Sequence, residues 1–172
     1  MGLMRSVCLL LGLLCACSPP LDWRRVRPAG LDMEALFPCR PATLSRELVL
    51  AQRRVEMTMH ACAAGGSTYA VGALTLDDVR DVGPALASLR AAAMRNVGAA
   101  SDVAQALDVP GTTPHAQAAR LALSGRRPDG SAVVEHLAVF TRGTRVYQAT
   151  VVGDRPDSEA VAVFFSGLKV GS

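Results

Sequence analysis

Residues 131–140 read SAVVEHLAVF. As a strand, this run puts Val133, Leu137 and Val139 on one side and Val134, Ala138 and Phe140 on the other, because successive side chains of an extended chain point to opposite faces. Both faces are then apolar, and both need cover from water. That requirement predicts a sheet sandwiched between helices rather than a barrel.

Outward from this run, the same period of two recurs on both flanks. AQAARLALSG (116–125), the turn RRPDG, SAVVEHLAVF, the turn TRG and TRVYQATVVG (144–153) read as a three-stranded meander. An earlier one runs from SRELVL (45–50) through AQRR into VEMTMHAC (55–62), where Val55, Met57, Met59 and Ala61 alternate with Glu56, Thr58, His60 and Cys62. Gly65-Gly66-Ser67 then turns the chain into TYAVGALTL (68–76).

Between the meanders the period changes. In DVGPALASLRAAAMRNVG (81–98), Leu86, Leu89, Ala93, Met94 and Val97 form one stripe, Pro84 suits a first turn and Gly98 a stop, which predicts a helix. A looser stretch follows to about Thr113. Near the C-terminus, Asp157 is placed to cap a second helix in which Val161, Phe164, Phe165 and Leu168 fall at i, i+3, i+4 and i+7. The expected class is α+β: a six-stranded antiparallel sheet of two three-stranded meanders, with helices packed on both faces.

At 172 residues the chain is the length of one domain, and with half its residues hydrophobic and 19% charged it is too apolar for disorder. Its net charge of +3 comes from seventeen arginines and one lysine against fifteen acids, spread along the chain. Nucleic-acid binding needs a concentrated basic face, so no nucleic-acid partner is expected.

Residues 1–16, MGLMRSVCLLLGLLCA, carry one charge (Arg5) before an apolar stretch too short to span a bilayer, the layout of a signal peptide. Leu14-Cys15-Ala16-Cys17 resembles a bacterial lipobox, the alternative for this Cys-x-Cys being a metal or redox pair. The resemblance implies cleavage before Cys17, acylation of Cys17, and attachment to the membrane through that lipid. Ser18 stands where an inner-membrane retention aspartate would sit, which points to the outer membrane, facing the periplasm. The expected organisation is a signal peptide over 1–16, a lipidated tether over 17–36 and a single domain over 37–172. Arg24, Arg25 and Arg27 in the tether would lie against lipid headgroups or in solvent.

Processing at Cys17 leaves Cys39 and Cys62, an even pair in an exported chain, which reads as a disulfide. Closing that loop would contribute ~3 kcal/mol by restricting the unfolded chain.

Signatures of catalysis are missing from the sequence: it has no G-x-S-x-G, no phosphate-binding loop and no zinc-ribbon spacing. His60 and His136 fall in strands and His115 in a Pro-flanked loop. His60 and His136 could share a metal with Glu56 or Glu135 only if they faced one side together, and surface or half-buried structural histidines are the simpler reading. Asp77, Asp78 and Asp81 gather before the first helix, where its dipole accounts for them. No cofactor and no metal are expected.

The order of elements, with Phe37-Pro38-Cys39-Arg40-Pro41 opening the first strand and Phe164-Phe165-Ser166-Gly167-Leu168-Lys169 closing the last helix, resembles the PsbP-like and DcrB-like α/β/α sandwich proteins. The resemblance covers roughly residues 34–170, and Leu168 stands where those families often carry an aromatic. It implies a fold used for docking, mostly without catalysis, and it transfers no functional residue. The expected function is that of a non-catalytic, membrane-anchored envelope lipoprotein that docks or helps assemble another envelope protein. The alternative is a small-ligand or metal-binding periplasmic module near His60 or His136. No residue pattern names the partner or the oligomeric state.

Overall fold

A computed structural model describes residues 21–50, 53–99 and 101–171. Both hairpin series form as expected. In the first, β3 (Ala42–Leu50), β4 (Arg53–Ala64) and β5 (Ser67–Thr75) are antiparallel neighbours. In the second, β7 (Ala119–Arg126), β8 (Ala132–Arg142) and β9 (Arg145–Gly153) repeat the pattern. The two series join at β5 and β9, which pair antiparallel along their whole length, Tyr69 opposite Val151 and Val71 opposite Ala149.

A strand from the segment expected to be loose, β6 (Ser101–Gln105), adds to β7 at the far edge. The sheet therefore has seven strands, ordered β3-β4-β5-β9-β8-β7-β6, and not six. β6 escaped the periodicity because it is an edge strand with little buried surface: Val103, its most apolar side chain, is 61% exposed.

Neighbouring residues of β8 enter different apolar clusters, as their alternation requires. Val133, Leu137 and Val139 join Val82, Leu86, Leu89 and Ala93 of α1 (Val82–Asn96). Ala138 and Phe140 join Phe164 and Phe165 of α2 (Ser158–Ser166), together with Met33, Ala35 and Phe37. The C-terminal end of α1 presses so closely on β7 that a Cβ on Gly125 would stand 2.0 Å from the Val97 carbonyl oxygen. Only glycine fits that approach.

The last three core residues named belong to β2 (Met33–Phe37), which lies between β1 (Arg24–Val26) and β10 (Lys169–Val170) in a separate antiparallel sheet of three strands. This corrects the expectation of a tether running to residue 36. Leu31 and Ala35 are fully buried, so folded structure begins well before 37. The sequence concealed it because Pro28 and Gly30 interrupt the segment and one of its partner strands, β10, is at the other end of the chain. Phe164 and Phe165 are buried, as their helical spacing predicted, whereas Leu168, expected in the same helix, is buried beyond its end, because α2 stops at Ser166. Among the described residues no helix is long and apolar enough to cross a membrane.

Candidate functional site

The residues singled out by sequence lie in separate places. Cys39, between β2 and β3, and Cys62 on β4 form a disulfide with their Cα atoms 6.0 Å apart. The β3–β4 register explains it: Ala42 pairs with Ala61, so the chain just before β3 runs beside the end of β4. The disulfide borders a shallow cleft of about 350 Å³ with Leu21, Arg24, Arg40 and Gly65 around it. Cys17 lies outside the described residues.

His60 is 4% exposed and bonded on both ring nitrogens. Nε2 is 3.0 Å from the Ala29 carbonyl oxygen, which only accepts, so Nε2 carries the proton and Nδ1 accepts from the Thr43 hydroxyl at 3.1 Å. The ring thus fastens the segment before β2 onto β4. His136 is on β8, with β5 and β9 between it and β4. That places the two histidines ~14 Å apart across the sheet, too far to share an ion.

Burial, and then the nearby positive charge of Arg120, hold the His136 imidazole below its ordinary pKa. Arg120 lies over the Phe165 ring, 4.4 Å from its centroid. Glu135 belongs to the other face of β8, between Val133 and Leu137, and is 5% exposed. Burial pushes its carboxyl up to about 7. Glu135 and His136 thus diverge, one to each side of the sheet.

Asp78 caps the 3₁₀ turn ahead of α1, accepting from the Arg80 backbone N–H at 2.8 Å and from its guanidinium at 2.6 Å. Asp77 and Asp81 border a narrow cleft of about 100 Å³ closed by Leu50, Arg54, Val55 and Leu76. No group of three or more His, Cys, Asp or Glu among the described residues is placed to hold a metal ion.

One polar cluster was missed from sequence. Glu34 of β2 is 7% exposed, with its carboxylate 2.6 Å from Arg27 and 3.2 Å from Arg25. Hydrogen bonds from Arg27, then from Arg25, hold that carboxyl below its ordinary range. The only signal was the spacing of Arg25, Arg27 and Glu34, which becomes a cluster once β1 folds back on β2. Lys169 of β10 stands directly opposite Glu34. Compared with known proteins, the chain matches no protein-family model and no curated protein.

Proposed function

We propose that this protein is a non-catalytic lipoprotein of the cell envelope, anchored through acylated Cys17 and facing the periplasm, whose layered domain docks or helps assemble another envelope protein. The observation that carries this reading is the Cys39–Cys62 disulfide. Such staples persist in oxidising compartments, which is where a chain with Leu14-Cys15-Ala16-Cys17 behind a short apolar segment would be delivered.

Docking is favoured over chemistry by how the reactive side chains are used. His60 is held between Ala29 and Thr43, Asp78 caps a turn, and the two cysteines bind each other. The α/β/α sandwich of the PsbP-like kind is the architecture this reading adopts, supported by separate clusters that include α1 and α2. Ser18 after the cysteine favours the outer membrane.

The test is mass spectrometry of the protein taken from membranes, with Cys17→Ser alongside. The wild-type N-terminal peptide should begin at an acylated Cys17, and the variant should accumulate as an unprocessed precursor. An unmodified Cys17 in the membrane-derived wild type removes the anchor. Crosslinking in intact cells should then join the anchored chain to a specific envelope protein; a chain recovered without any crosslinked partner argues against docking.

A further inference from the structure

The outer face of the small sheet carries unbalanced positive charge. Lys169 and Glu34 are cross-strand partners and so share a face, and Arg25 and Arg27 reach the same carboxylate at 3.2 and 2.6 Å. Two cations thus bond one acid, and a third is carried on the strand opposite it. The acid is buried beneath them, whereas the side chains of Arg25 and Arg27 are 63% and 74% exposed and Lys169 is exposed. Two positive charges therefore remain for something outside the domain.

The distance to the anchor says what that is. Only residues 18–20 separate Cys17 from Leu21, where the described chain begins, and even fully extended this link reaches no more than ~14 Å. β1 starts three residues later. A basic face tied this closely to a bilayer meets its headgroups at high effective concentration, and lysine and arginine near an anionic leaflet are attracted to it. We propose that the Arg25–Arg27–Lys169 face lies on the anionic headgroups of the membrane that holds the Cys17 acyl chains. The domain then has one fixed orientation, with the α1 side of the large sheet turned away from the bilayer. This rests on the anchor reading above.

Lys169 is the chain's single lysine, which makes it a reporter. The purified lipidated protein is bound to vesicles of phosphatidylcholine alone, or of phosphatidylcholine with 30% phosphatidylglycerol. It is then labelled with an impermeant amine reagent, and the Lys169 peptide is quantified. On the anionic vesicles labelling should slow about fivefold, and the protection should vanish in ~1 M salt, where charges are screened within ~3 Å. Equal labelling on both vesicles, with the protein sedimenting on both, overturns the proposal and leaves the anchor standing. Failure to sediment with neutral vesicles removes the anchor, and the orientation falls with it. Protection seen only in native membranes assigns the face to an acidic protein instead, which also overturns the proposal.

Discussion

Glu135 shows how far a single side chain departs from what its neighbours in sequence suggest. It occupies an apolar face of β8, with Leu123 of β7 and Val152 of β9 beside it in register. It finds no hydrogen-bond partner among the described residues, and burial raises its carboxyl to about 7 from an ordinary 4.5. The unfolded chain therefore ionises this group before the folded chain does. Stability is full below about 4.5, falls as the pH climbs between the two values and is lost above about 7, a total of order 3 kcal/mol. Glu135→Gln should accordingly be more stable than wild type at pH 8 and nearly equal to it at pH 4, as measured by urea unfolding at both. The same difference at both pH values would show that burial does not raise the Glu135 carboxyl in the fold. The sequence placed Glu135 on a strand correctly. Its burial comes with the cover that Val133, Leu137 and Val139 on the same face call for, which α1 supplies.

Among the elements, α2 was the most legible and β2 the least. Asp157 caps α2 by accepting from the Ala160 N–H at 2.8 Å, as its position before an apolar 3.6-residue period predicted. Phe164 then packs edge-to-face against Phe37, Tyr69 and Phe165, with ring centroids 5.7, 5.5 and 5.3 Å away. Phe164→Ala removes a fully buried ring shared by α2, β2 and β5 and should cost ~3–5 kcal/mol, read as a lowered midpoint in thermal or urea unfolding. A midpoint near wild type would mean that this helix contributes little to the core. β2 alternates too, Met33, Ala35 and Phe37 inward with Glu34 and Leu36 outward, but five residues between a proline-rich lead and Pro38 are too few to establish a period.

Across the whole molecule, the disulfide links the end of the small sheet to the large one, because Cys39 follows β2 and Cys62 lies on β4. Replacing both cysteines by serine should lower stability by ~3 kcal/mol without removing the two apolar clusters, measured by urea unfolding of the purified proteins. Alkylation of the oxidised wild type without reductant should label neither Cys39 nor Cys62; two reactive thiols there would contradict the pairing. The local patterns of the chain were enough to specify both meanders, both helices and this disulfide, since each rests on periodicity, caps or spacing within a few tens of residues. The pairing of β5 with β9, the seventh strand and the β1-β2-β10 sheet were not specified locally. They join segments far apart in the chain, or strands with little surface to bury, and their energy exists only when distant partners meet. The Arg25–Arg27–Glu34–Lys169 cluster has the same origin: three of its members are near one another in sequence, but the fourth arrives only when β10 closes the fold.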